Sequence, residues 1–246
     1  MPYKDLREFL GKLATEGELH RIEAEVDWDL EIGAITRRGI ELQLPAMLFE
    51  KIKGFPPDYR VLGNLLTPTR PVKQGRLSLA LELPKDTPPR EVIEEFGRRL
   101  ERRIKPKIVP TGPCKENIVK GEAVDLWQFP TPLMHGGDGG RYIGTWHITV
   151  TRDPDSGWVN WGIYRHMIHD RNTMSILSFP PQHGGMHYRK YEERGEPMPV
   201  AVAIGTEPVC SIAADTQLPA GEDEADLTGG LRGEPIELVK CETNDL

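Results

Sequence analysis

From Gly144 onward the apolar residues of this chain come in short bursts divided by turn formers, a pattern that calls for many short strands and few helices. The bursts read GTWHITVTRD, GWVNWGIYRH, NTMSILSF, PVAVAIG and IELVKC. Asp153-Pro154-Asp155-Ser156-Gly157 separates the first two, and its last four residues suit a tight hairpin. Strands spaced this way predict a sandwich or barrel-like β domain.

The first hundred residues read differently. Leu6, Phe9, Leu10 and Leu13 recur at helical spacing behind Asp5, a suitable N-cap, and Gly17 suits the helix end. HRIEAEVDW then alternates as a strand does. Thr87-Pro88-Pro89 opens a second helix, with Val92, Ile93, Phe96, Leu100 and Ile104 as its apolar stripe and Lys105-Pro106 as its stop. Pro and turn residues crowd the stretch from Pro110 to Pro132, placing a boundary near residue 115. The expected organisation is α+β: an α/β domain over residues 1–114 and a β domain over residues 115–246.

With 31 Lys and Arg against 38 Asp and Glu, the net charge of −7 argues against nucleic acid as the main partner. Arg98-Arg99 and Arg102-Arg103 alternate with Glu94, Glu95 and Glu101, as on a solvated helix face. Cys114, Cys210 and Cys241 are too widely spaced for a thiolate zinc site and read as reduced thiols. No N-terminal apolar signal region and no run of about 18 apolar residues occurs. These features predict a cytoplasmic protein without stable membrane insertion.

Trp158 to Tyr188 carries the chemistry. In a regular strand Asn160 and Arg165 point to opposite faces, so a shared site requires a bend or bulge near Gly162; the alternative is a half-buried strand with a surface Arg. Asn carbonyl and His imidazole both ligate divalent metals, and Arg165 offers a fork suited to carboxylate or phosphate. His183 lies between Pro180-Pro181-Gln182 and Gly184-Gly185, which reads as a glycine loop approaching a ligand closely. His166 and His169 read as solvated turn residues beside Asp170. Glu222, Asp223, Glu224 and Asp226 form an acidic stretch that, on spacing alone, supports no ligand assignment. The His135–Tyr142 glycine-rich segment lacks GxGxxG and is either a mobile turn or a border of the site.

KENIVKGEAVDLWQFPTP, HGGDGGRYIGTWHITVTRDPDSGWVNWGIYR, PPQHGG and LRGEPIELVKCETNDL together resemble the UbiD family of decarboxylases, best from Lys115 to Leu246. The resemblance implies a split β-barrel that binds prenylated FMN, and reversible decarboxylation of aromatic or α,β-unsaturated acids. It implies that Asn160, His183 and Glu224, with Glu222 a weaker candidate, hold a Mn²⁺ bridging to the cofactor phosphate, with K⁺ nearby. Cofactor contacts implied are Trp161, Gly162, Ile163, Tyr164, Arg165, Ser178, Phe179, Pro180, Gln182 and Gly184, with Arg165 also catalytic. Met186 or His187 is placed at the substrate pocket wall. The family's catalytic glutamates follow the VKC-x-TNDL segment, on which this sequence stops, so the reading is of an N-terminal portion whose β-barrel is incomplete. Implied partners are a small carboxylic acid, a flavin prenyltransferase that supplies the cofactor, and further copies in a homo-oligomer (dimer or hexamer). Two other readings stand beside it: a non-catalytic cofactor- or metal-binding subunit completed by a partner chain, and a flavin reductase-like FMN oxidoreductase.

Overall fold

In the computed structural model, which describes residues 2–246, Asp5 caps helix α1 (Leu6–Thr15) by accepting from the Glu8 backbone N at 2.9 Å. Gly17, at φ +71, turns the chain into strand β1 (Leu19–Val26). Helix α2 (Glu31–Glu41) then crosses over to β2 (Ala46–Ile52), which pairs parallel with β1, and β3 (Val61–Gly63) adds antiparallel to β2. Val26, Ile32, Met47, Phe49 and Ile52 fill the space beneath this sheet. Helix α3 (Gly75–Ala80) closes a second cluster with Phe9, Leu13 and Ala46.

Helix α4 (Pro89–Leu100) is narrower and shorter than its apolar stripe suggests. Val92 is buried and Phe96 and Leu100 pack on Leu227 and Leu231, but Ile93 points to solvent at 70% exposure. A neighbour of Val92 lies about 100° round the helix, so both cannot face one core. Ile104 lies beyond the helix, where its N–H donates to the Asp226 carbonyl at 3.0 Å.

Strand β4 (Lys107–Ile108) and three 3-10 turns within 113–128 lead to β5 (Tyr142–Gly144). The hairpin through Asp153–Gly157 joins β6 (His147–Arg152) to β7 (Val159–Gly162), with Gly157 at φ +75. β8 (His166–Ile168) and β9 (Met174–Ile176) complete an antiparallel sheet in the order β5-β8-β9. After α5 (His183–Arg194), β10 (Val200–Ile204) pairs with β6 to give the order β10-β6-β7. Helices α6 (Pro208–Ala214) and α7 (Glu224–Arg232) follow, and β11 (Glu237–Leu238) pairs parallel with β4. The result is a mixed α+β fold of several small sheets. Of IELVKC, only Glu237 and Leu238 are strand.

The expectation of few helices after residue 115 is therefore corrected: α5, α6 and α7 all lie there. Their apolar periodicity is weak because two of them begin or centre on paired glycines. In α7 those glycines admit another segment. A Cβ on Gly229 would meet the Ile104 carbonyl oxygen at 2.3 Å, and one on Gly230 the Arg102 carbonyl oxygen at 2.3 Å. A second tie between early and late segments is the Arg141 guanidinium, which lies 4.2 Å from the Trp28 ring centroid and 5.0 Å from that of Trp127. Arg141 also donates to the Thr131 and Phe129 carbonyls at 2.6 and 3.0 Å. The glycine-rich stretch before β5 thus delivers an anchored arginine. Among the described residues no helix is long and apolar enough to cross a membrane.

Candidate functional site

Asn160 sits inside β7, opposite Thr151 of β6, at 2% exposure. Its amide orientation is set by two partners. Nδ2 donates to the Tyr164 hydroxyl at 3.4 Å, and Oδ1 accepts from His183 Nδ1 at 3.2 Å in the tautomer protonated there. The Tyr164 hydroxyl also accepts from the Gly184 backbone N at 3.0 Å, so one phenol ties β7 to the start of α5.

His183 is the first residue of α5, not part of a glycine loop. The two glycines after it serve packing. A Cβ on Gly184 would stand 2.8 Å from the Tyr164 ring, and one on Gly185 would stand 2.1 Å from the Phe179 carbonyl oxygen. The close approach read from the sequence is real, but here its object is protein. Burial holds the His183 imidazole below its usual pKa and so favours the neutral form that metals require.

Glu224 opens α7 behind Asp223, which caps the helix by accepting from Ala225 N at 2.8 Å. The acidic stretch is thus not simply a solvated loop. Glu224 is 2% exposed, and its Oε2 accepts from the Trp161 backbone N at 2.7 Å, one residue along from Asn160. Burial raises its pKa to about 7 against the pull of that N–H, with Asp223 and Glu222 adding to the rise. Among the described residues no ion pair reaches Glu224, whereas the Glu222 carboxylate is taken by Arg103 at 2.5 Å.

The structure therefore puts Asn160 of β7 in contact with His183 of α5, and joins Glu224 of α7 to the backbone of the residue after Asn160. Among the described residues no three His, Cys, Asp or Glu side chains form a metal-holding group, so a metal set here would have to include the Asn160 oxygen. A buried carboxylate with no ion pair among the described residues, a neutral imidazole and an oriented amide oxygen are donor types that suit a hard or borderline divalent ion.

Arg165 lies where the chain leaves β7 and enters β8 of a different sheet, which supplies the bend required near Gly162. Asn160 is buried while Arg165 is exposed, its guanidinium 5.7 Å from the Tyr142 ring centroid and free of ion pairs among the described residues. Gly162 is needed because a Cβ there would meet the Tyr164 ring at 2.6 Å. The Trp161 indole packs with Ile148, Cys210 and Ala225, leaving its backbone as the part near the site. Ile163 and Ser178 are half-buried; Phe179, Pro180 and Gln182 are exposed on the approach to α5, where Gln182 Oε1 accepts from Phe179 N at 2.8 Å.

Two histidines depart from expectation. His166 is buried on β8, bonded through Nε2 to Thr149 Oγ1 at 2.9 Å, with the His147 ring 5.0 Å away; His169 alone is exposed as expected. His187 is fully buried against Thr151 Oγ1 at 2.9 Å, so it is core and not an open pocket wall, while Met186 beside it is exposed. Alternation on β6 gave the signal: His147, Thr149 and Thr151 share one face and need polar partners.

Asn160, His183 and Glu224 thus stand on three different elements of a fold built from small sheets and short helices. Residues 107–246 match the family model described as the 3-octaprenyl-4-hydroxybenzoate carboxy-lyase Rift-related domain, and residues 10–96 match that of the corresponding N-terminal domain. The chain belongs to the UbiD family. It is 41% identical over 245 residues to the pyrrole-2-carboxylic acid decarboxylase of Pseudomonas aeruginosa, covering 98% of this chain and 49% of that one. Among solved structures, the vanillic acid decarboxylase of Sedimentibacter hydroxybenzoicus in its closed form matches with TM-score 0.92 and 32% identity, covering 100% of this chain and 52% of that one. An evolved dimeric form of the UbiD-class enzyme HmfF from Pelotomaculum thermopropionicum, in complex with prFMN, matches with TM-score 0.86 and 31% identity, covering 99% and 54%. The chain spans about half the length of the relatives it matches.

Proposed function

We propose that this chain carries the metal and cofactor-phosphate site of a prenylated-FMN-dependent decarboxylase acting reversibly on an aromatic or α,β-unsaturated carboxylic acid. The observation that carries the reading is Glu224, a buried carboxylate with no ion pair among the described residues, joined through Trp161 N to the strand that presents Asn160 toward His183. Asn160, His183 and Glu224 hold the Mn²⁺, and K⁺ lies nearby. Bound prenylated FMN supplies the electron sink that makes loss of CO₂ feasible. The chain's own groups bind and orient: Tyr164 fixes the Asn160 amide, and the 178–184 segment flanks the cofactor. The exposed fork of Arg165, without an ion pair among the described residues, receives the substrate carboxylate.

The names of the relatives support a small aromatic acid as substrate. A flavin prenyltransferase supplies the cofactor, the setting is cytoplasmic, and the full protein works as a homo-oligomer. Its two parts divide near residue 115.

Co-expression with a flavin prenyltransferase in the presence of Mn²⁺ and K⁺, followed by native mass spectrometry and an absorbance spectrum, tests this. The expected mass is the chain plus prenylated FMN plus Mn²⁺, lost in Asn160→Ala and His183→Ala. Equal retention of flavin and metal in both variants, or none in the wild type, overturns it.

A further inference from the structure

The three donors sit on three separate elements, and one indole touches the surroundings of two of them. Trp158 stands just before β7, held by the hairpin: its carbonyl accepts from Asp153 N at 2.8 Å and its N–H donates to Ser156 Oγ at 3.3 Å. Its ring meets the His183 ring at 4.7 Å between centroids, inclined by 72°. The His187 ring, one helical turn further along α5, meets the same indole at 4.7 Å and 89°. Meanwhile Trp158 Nε1 donates to the Glu222 carbonyl at 2.7 Å, two residues before Glu224.

Resting on the metal reading above, we infer that Trp158 is a positioning residue for the metal site, fixing the His183 ring through its edge contact and the approach to Glu224 through its N–H. The chain before α7 is tied to this side of the molecule twice, by Trp158 Nε1 to the Glu222 carbonyl and by Trp161 N to the Glu224 carboxylate. Without the first tie, Glu222 keeps a turn hydrogen bond from its N–H to the Pro219 carbonyl at 3.1 Å and its exposed Arg103 pair, and surface pairs of that kind are weak. His187, held by Thr151, gives the same indole a second edge contact on α5. Groups that orient the ligands of a metal typically set about 10–100-fold of its affinity.

Mn²⁺ titration followed by electron paramagnetic resonance, on the 246-residue chain, tests the inference with Trp158→Phe and Trp158→Leu. Trp158→Phe keeps an aromatic ring and loses the N–H; Trp158→Leu loses both. The expected losses are about 10-fold and about 100-fold in Mn²⁺ affinity. Urea midpoints measured without metal separate this from a packing role, which lowers stability but leaves affinity unchanged. Trp158→Phe alone decides the matter should Trp158→Leu not fold. Wild-type affinity in Trp158→Phe overturns the positioning role when Asn160→Ala and His183→Ala lose Mn²⁺ in the same titration. If those two bind as the wild type does, or the wild type takes up no Mn²⁺, the metal reading itself fails and this inference goes with it.

Discussion

Gly185 lies so close to Phe179 that a single added carbon would sit 2.1 Å from the Phe179 carbonyl oxygen, well inside contact distance. In an exposed helix, Gly→Ala gains about 1 kcal/mol of propensity. Here the backbone carbonyl has to move, and overpacking costs about 1–3 kcal/mol. We expect Gly185→Ala to destabilise the protein, and Gly11→Ala in α1, where nothing lies within 4 Å, to stabilise it. Urea midpoints of the two variants should move in opposite directions; a shift of the same sign refutes the packing account.

Glu224→Gln separates a structural role from a ligand role. The amide oxygen still accepts from Trp161 N, and the change removes a charge that burial disfavours. Stability without metal should stay within about 1 kcal/mol of wild type. Mn²⁺ affinity should fall at least about tenfold, since the only carboxylate in the proposed set is lost. Retained affinity shows that the carboxylate is not a ligand.

Burial lowers the His166 pKa to about 4, and the neighbouring His147 adds to that by repulsion. The unfolded chain takes up a proton near pH 6.5, whereas the folded chain resists until about pH 4. Below pH 6.5 the unfolded state therefore binds more protons, and stability falls as pH falls, reaching a loss of up to about 3 kcal/mol near pH 4. His166→Gln should flatten that slope in urea titrations between pH 7 and 4. An unchanged slope assigns the acid sensitivity to other groups.

Arg141 combines stacking on Trp28 and Trp127 with two charged hydrogen bonds to carbonyls. Arg141→Ala should cost about 2–4 kcal/mol, and Arg141→Lys most of that, because an ammonium lacks the planar fork. Tryptophan fluorescence during denaturation reports it directly, since two of the ring partners are indoles. A loss below about 0.5 kcal/mol for either variant rejects the anchor.

What the sequence makes legible is local. Asp5 capping α1, the Asp153–Gly157 hairpin and the strands on either side all follow from neighbouring residues. Residue chemistry points to Asn160 and His183 together, and the structure places the two in contact. Helices α5 and α7 escape the same reading because their glycines look like loop signals. Only the approach of Phe179 to one and of Ile104 to the other shows those glycines to be close-packing surfaces. The burial of His166 and of Glu224 is not legible in the local pattern for a related reason: it depends on which distant segment covers a side chain. Thr149 covers the first and Trp161 the second.

The seat of α7 on the 102–104 backbone has a consequence for recombination among relatives. The glycine pair and the backbone segment it receives lie far apart in sequence but pack as one unit. A chimera that joins the early part of one homologue to the late part of another brings together a ridge and a groove with separate histories. Any side chain larger than hydrogen at Gly229 or Gly230 meets a carbonyl from the other parent. Crossovers that keep both segments from the same parent should therefore survive more often than those that fall between them.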